Sequence, residues 1–365
     1  MSAPAVILGG GLAGAAAATL LTKAGRDVTV IERQSAPTDK ICGEFLSREA
    51  QLYLQHLGLD LSSLGGHRIT GLRLIRGGDC VRVGLPFAGL GLSRRVLDEA
   101  LLNHAVASGA TALRGKAASL QDGRVFVSGV PMPAGPILLA TGKHDLRALP
   151  RVSADGTDNL VGFKTYFRLT PAQTAALAGH VEVLLFKDGY AGLQLVEGGR
   201  ANLCLLVQRA RLQRVGFSWA GLLDDLCVQN PHLRIRLDGA MSELAKPLAI
   251  YRVPYGFVHR ADDTLYHLGD QMGVIDSFSG DGMSIALHSA ALAASALVSG
   301  AGADGYHRHM RADIAGQIGR ARRLYYFGQD HGRTLMRLAA IWPGALRWAA
   351  RWTRVPERAL ARALA

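Results

Sequence analysis

Three glycines near the start of the chain, Gly9, Gly11 and Gly14, stand in the spacing G-x-G-x-x-G directly after an apolar run at 5–8. That spacing suits the binding of a dinucleotide. Gly9 permits a tight turn, Gly11 lets the backbone approach a pyrophosphate, and Gly14 lets the following helix pack closely on its strand. The free N–H groups of the helix start, at Leu12 and Ala13, then meet the phosphates with the help of the helix dipole. Glu32, eighteen residues past Gly14, is placed to accept hydrogen bonds from a ribose.

A second stretch with chemical potential is LYHLGDQMGVIDSFSGDGM, at 265–283. A short strand at 265–268 leads into Gly269-Asp270, and Gly280 and Gly282 open an apolar helix from Met283 to about Val298. An aspartate at a strand end can bind a sugar-alcohol hydroxyl, and a helix start aimed at a ring stabilises negative charge on it. Those are the needs of a flavin, with its ribityl chain and anionic reduced ring. Asp276 falls beside the same ring system and is a candidate tether to it. The phrase KICGE at 40–44 is too polar for a core strand, and it follows the strand that ends the nucleotide unit. Lys40, Cys42 and Glu44 are placed either to reach the reactive end of the cofactor or to belong to a solvated surface loop. Arg94 and Arg95 open a helix capped by Ser93; cations there oppose the dipole, so a negative group such as a phosphate is expected nearby.

Positioning these residues takes a β-α-β unit: a strand at 5–8, an Ala-rich helix at 13–24 closed by Gly25, and a strand at 27–31. A helix at 47–57 follows, then strands within 69–85 with a turn at Gly77-Gly78, and strands at 125–128 and 137–140 running into Thr141-Gly142. From 159 to 209 the pattern changes to long β segments, with a hairpin turn at 197–200. This is the mark of a second, mostly antiparallel domain inserted into the first. Lys164, on one of its strands, either anchors an anionic group of the substrate or faces outward, and the outward orientation is the one expected. Another G-x-G-x-x-G, at Gly300, Gly302 and Gly305, follows a helix instead of a strand and reads as a helix-terminating loop.

With 365 residues, 49% of them apolar, the chain can build a substantial core. Its net charge of +12 is uneven: residues 301–365 hold twelve arginines, no lysine and four acidic residues. No nucleic-acid motif accompanies that charge. Trp348 and Trp352 are four apart, as are Arg347 and Arg351, so one tail helix pairs an aromatic stripe with a cationic one. It is expected either to cap the nucleotide domain or to touch an anionic membrane surface. The four cysteines, Cys42, Cys80, Cys204 and Cys227, are widely spaced, which fits a reduced, cytoplasmic setting. No run of about 20 apolar residues suggests a membrane span.

Taken together, GGGLAG with Glu32, KICGE, LSRRVLDEAL, ILLATG and LGDQMGVIDSFSGDGM resemble the flavoprotein superfamily of p-hydroxybenzoate hydroxylase, most closely its geranylgeranyl-reductase and halogenase-like branch. The resemblance implies an α/β fold: a Rossmann-like FAD-binding domain of glutathione-reductase type at 1–68, 86–155 and 256–300. An antiparallel-sheet substrate domain is inserted at 69–85 and 156–255, and a C-terminal helical region occupies 301–365. It implies FAD held by Gly9, Gly11, Gly14, Glu32, Arg33 and Arg94, with Lys40, Gly43 and Gly142 beside it, Asp270 on the ribityl or pyrophosphate region, and Gly280, Gly282 and Met283 near the flavin. NAD(P)H is a candidate electron donor, although Thr141-Gly142 and SFSGDGMS depart from the hydroxylase pattern. No two tryptophans are two apart, so the Trp-x-Trp-x-Ile-Pro of halogenases is missing.

The implied activity is hydride transfer from flavin N5 to a carbon–carbon double bond of a hydrophobic molecule such as an isoprenoid, polyketide or aromatic compound. Glu44, Cys42 and Asp281 are the candidate proton donors. The alternatives are hydroxylation or epoxidation through a C4a-hydroperoxide, and a flavin protein without turnover that serves in electron transfer or assembly.

Overall fold

The computed structural model describes residues 3–151, 159–261 and 263–365. The domain boundary expected at 155/156 lies outside them. The opening unit forms as its pattern requires: a buried strand Ala5–Leu8, a helix Leu12–Lys23 and a strand Val28–Glu32. Alanines fill the buried side of that helix because only small side chains let it lie close to the sheet and to a second core helix, Gly282–Ser299. Ala5–Leu8 is central in a five-stranded parallel sheet, flanked by Ile137–Leu139 and Tyr266–His267 on one side and by Val28–Glu32 and Thr111–Arg114 on the other. Its near-continuous apolar runs are those of strands covered on both faces.

A nine-stranded, mostly antiparallel sheet stands beside this core. His67–Arg76 and Asp79–Gly91 form its first hairpin, so the inserted sheet draws on slightly more of the early chain than 69–85. Leu160–Arg168, His180–Phe186, Gly189–Leu195 and Ala201–Gln208 follow, with the turn at 197–199 between the last two. A helix at Pro171–Leu177, started by Thr170 and Pro171, interrupts what composition alone presents as continuous β structure. The residues of His180–Phe186 alternate: Val181, Val183 and Leu185 face a large cavity, while Leu184 and Phe186 join an apolar core on the far side.

Gly300 ends the helix Gly282–Ser299 in a left-handed conformation and Gly302 begins the next, Gly302–Asp330, so the second glycine triplet is a corner between helices. By length and composition Gly282–Ser299 is apolar enough to cross a membrane, yet it lies in the core against Leu12–Lys23 and Gly302–Asp330. Three short helices, Gly332–Ile341, Gly344–Trp352 and Glu357–Leu364, complete the chain. The first two fold back over the nine-stranded sheet, with Met336 and Ala339 buried against Leu74, and the last packs on Gly282–Ser299 and on the helix Arg48–Leu57.

Candidate active site

The two sheets and the returning C-terminal helices enclose a cavity of about 860 Å³, lined mainly by apolar side chains. Its nucleotide end is the opening turn. Gly9 holds φ +107°, and a Cβ there would stand 2.4 Å from the Ala140 carbonyl oxygen. A Cβ at Gly14 would lie 1.9 Å from the Gly9 oxygen, so the helix reaches the turn only because no side chain intervenes. Gly11 is different: a Cβ would project towards Arg94 Nη2 (3.4 Å) and Lys40 Nζ (3.5 Å), into the space where cations and the helix start converge. Asp98 fixes both cations, accepting from Lys40 at 2.6 Å and from Arg94 Nε and Nη2 at 2.7 and 2.9 Å. Burial works against the charges, but the contacts prevail: Asp98 sits below its ordinary pKa and Arg94 above its own.

Glu32 lines the same end. Its carboxylate accepts from the Gly10 and Gln34 amides at 2.7 and 2.8 Å, which orients it and leaves lone pairs for a further donor. Arg33, Leu12, Ala13 and Gly142 also border the cavity. Asp270 does too, and its carboxylate makes no hydrogen bond to the protein among the described residues. A glycine cradle, a helix start, two fixed cations, the oriented carboxylate of Glu32 and the open one of Asp270 fit the polar portion of FAD. Further along, Gly280, Gly282 and Met283 line the cavity at the start of the core helix.

Cys42, Gly43 and Glu44 border the cavity, but the Glu44 carboxylate is enclosed. It accepts from the Arg94 amide at 2.8 Å, from Tyr166 Oη at 2.9 and 3.0 Å, and from the Lys164 ammonium at 2.5 Å. Burial raises its pKa, while Lys164, the Arg94 amide and Tyr166 pull the other way. Lys164 does not face outward: it is 0% exposed, paired with Glu44 and donating to the Lys40 carbonyl. The reason is register, since alternate residues of Leu160–Arg168 point at the 39–44 loop and a cation there matches the only carboxylate that the loop buries. Glu44 has φ +60°, a conformation uncommon outside glycine, held by this ring of partners.

Asp281 and Asp276 do not line the cavity. Asp281 is buried on the far side of its turn, where its carboxylate accepts from Ser47 Oγ and Arg354 Nη1 at 3.3 and 3.2 Å, the Val355 amide at 3.1 Å, and Gln317 Nε2. Burial lifts its pKa to about 6 although Arg354 lowers it. Asp276 pairs with Arg322 at 3.2 Å and is likewise raised to about 6 by burial. Both carboxylates point at the C-terminal region, which sequence patterning could not anticipate because their partners there are 36 to 74 residues away.

Other cavity groups were not singled out by the sequence motifs. Tyr190, Phe278 and Tyr325 form a triangle of rings with centroids 6.2–6.3 Å apart. Beside it, Tyr255 Oη lies 2.7 Å from Ser277 Oγ, a hydroxyl pair in an otherwise apolar wall. Leu335, Leu346, Ala349 and Ala350 bring the C-terminal helices into the lining. Only the excess of aromatic residues near 255, 278 and 325 hinted at this.

A family model described as an NAD(P)-binding Rossmann-like domain matches residues 7–49. Menaquinone reductase of Mycobacterium tuberculosis is 38% identical over 119 residues, which are 31% of this chain and 29% of that protein. Squalene monooxygenase of Rattus norvegicus is 44% identical over 68 residues, 18% of this chain and 12% of that protein. The match spans less than a third of either relative's length. The flavin-dependent brominase Bmp2 shares the fold, with a TM-score of 0.77 over 97% of this chain and 93% of its own, at 17% identity. Residues 7–49 thus carry an NAD(P)-binding Rossmann-like domain, and the chain as a whole has the fold of the flavin-dependent brominase Bmp2.

Proposed function

We propose that the chain reduces a carbon–carbon double bond in a hydrophobic small molecule of the isoprenoid class, an isoprenoid quinone being the leading candidate. The observation that carries this reading is that the nucleotide cradle and a mainly apolar wall line one cavity, with the Tyr255–Ser277 hydroxyl pair in that wall. The name of the menaquinone reductase relative supports the substrate class. FAD, when bound, supplies two-electron redox chemistry at its ring.

The chain's own residues do the rest. Gly11, the helix start, Lys40 and Arg94 hold the diphosphate, and Glu32 and Asp270 take the hydroxyls of the sugar portions. Leu74, Val183 and Leu185 from the sheet and Leu346 and Ala349 from the tail exclude water from an apolar chain. Tyr255, held by Ser277 and kept protonated by burial, donates a hydrogen bond to a polar head group such as a quinone oxygen. Cys42 is the protonatable cavity group on the 39–44 loop whose side chain is not committed to an ion pair, and it takes the proton-donor role expected of that loop. Glu44 acts instead as the clamp that sets the loop.

A second role belongs to the tail. Leu338, Ile341, Trp342 and Trp348 are exposed beside Arg333, Arg337, Arg347 and Arg351, and they form an amphipathic face suited to an anionic membrane surface. The same helices contribute Leu335, Leu346, Ala349 and Ala350 to the cavity lining, so a lipid-dissolved substrate would meet the protein at helices that also wall the cavity.

The reaction is tested anaerobically: the holoenzyme is reduced with dithionite, then mixed with a short-chain isoprenoid quinone. Return of the oxidised-flavin absorbance with a saturated-bond product supports reduction. Substrate-coupled oxygen uptake, with no anaerobic reoxidation, overturns it in favour of oxygenation.

A further inference from the structure

Outside the cavity, four side chains with metal-binding chemistry meet where the last strand of the parallel sheet touches the start of Gly302–Asp330. We propose that His259, Asp263 and His307 bind one divalent transition-metal ion of the zinc type, with His267 orienting the carboxylate. One ligand atom from each of the three lies within 4.8 Å of the others. His259 Nε2 and Asp263 Oδ2 are 3.4 Å apart, close to the roughly 3.3 Å edge of a tetrahedron built on bonds of about 2.0–2.1 Å. His307 is 1% exposed, and neither of its ring nitrogens has a hydrogen-bond partner among the described residues.

An imidazole buried in that state loses its hydration without replacement, at a cost a bound cation removes. Supporting contacts are in place. His267 Nε2 lies 3.0 Å from Asp263 Oδ2, and its ring stacks on His259 with centroids 3.8 Å apart. Such a partner on a ligating carboxylate fixes its direction. Two imidazoles and a carboxylate without sulfur suit zinc and its neighbours, not the all-oxygen shell that magnesium or calcium prefers.

The frame is rigid on three sides. The His259 amide donates to the Met272 carbonyl at 2.8 Å, His267 belongs to the strand Tyr266–His267, and His307 stands in the second turn of its helix. A metal there would pin the start of the C-terminal region to the sheet edge. None of the four lines the cavity, so the ion would be a structural clip.

The test uses the full chain with no polyhistidine tag, stripped with EDTA and titrated with Co²⁺ and then Zn²⁺. Expected are visible ligand-field bands saturating at one Co²⁺ per chain, loss of those bands on adding Zn²⁺, and a higher melting temperature with zinc. His307→Gln and Asp263→Asn should each weaken Co²⁺ binding at least about tenfold while retaining bound FAD. Asp263 is only partly buried, so Asp263→Asn keeps the test decisive if His307→Gln misfolds. Absence of bands and of a zinc-dependent melting shift, or binding unchanged in Asp263→Asn, overturns the proposal.

Discussion

At Gly11 and Gly14 the same substitution, one added methyl group, should fail for different reasons. The Gly14 methyl would collide with the Gly9 carbonyl inside the protein, so Gly14→Ala must push the helix from the turn whether or not FAD is present. The Gly11 methyl would enter the space under Arg94 and Lys40, which the protein itself leaves open. Gly11→Ala should therefore leave the apoprotein's melting temperature within a few degrees of wild type and strip most of the flavin. Gly14→Ala should lower both, as read from flavin absorbance per chain and thermal unfolding of the apoprotein. A further residue-scale expectation concerns Glu44 and Lys164, both wholly buried. Glu44→Gln or Lys164→Met alone leaves an unmatched buried charge and should cost about 3–5 kcal/mol in urea unfolding. The double variant should recover much of that loss, and a double as unstable as the sum of the singles would show that the two groups do not interact.

Elements show where sequence patterning stops being informative. The opening β-α-β unit was legible because glycine spacing, apolar run length and the acid at the strand end are all local signals, and Ser47 and Ser93 were legible as helix starts for the same reason. Lys164 was misplaced because alternation along one strand gives two faces without saying what the opposite element presents. Glu182 makes the same point in the inserted sheet: its neighbours Val181 and Val183 face the cavity, whereas it turns to the far side. There Arg73 at 2.8 Å, Arg236 at 2.9 Å and His232 at 3.0 Å, from a neighbouring strand and the helix Pro231–Leu237, converge on it. Burial opposes the charge, but these donors bring its pKa down to about 2. Because the folded-state value lies below the unfolded one, the unfolded chain binds the extra proton in this window, and stability rises with pH there. The Glu182 contribution, about 3 kcal/mol, is complete above pH 4.5 and is lost as pH falls towards 2. Urea titrations of wild type and Glu182→Gln should thus differ most near neutrality and converge in acid; a constant difference across that range would refute the assignment.

In the whole molecule, the C-terminal region matters more than its composition suggested. Its charge was legible in the sequence, but its destination was not, because the contacts that fix it are long-range: Asp281 to Arg354 and Gln317, and Asp313 to Arg362. Those contacts lay two helices along the cavity, and Met336, Ala339 and Leu346 turn inward as a consequence. The outward faces are left with Ile341 84% exposed and Trp342 65% exposed, between arginines and with no acidic residue from 331 to 356. Burying a large apolar side chain in a lipid interface is worth about 1.5–3 kcal/mol, and each arginine near an anionic surface adds about 1 kcal/mol. The two contributions respond differently to salt, because only the second is screened. The holoenzyme should therefore sediment with vesicles rich in anionic phospholipid at low salt, bind several-fold less at high salt, and ignore purely zwitterionic vesicles. Ile341→Glu with Trp342→Glu should reduce vesicle binding at least about tenfold without changing flavin content, since neither side chain touches the cavity. Failure of the wild-type protein to sediment with anionic vesicles at low salt would mean that this face stays in water, and that a hydrophobic substrate must reach the cavity by another route.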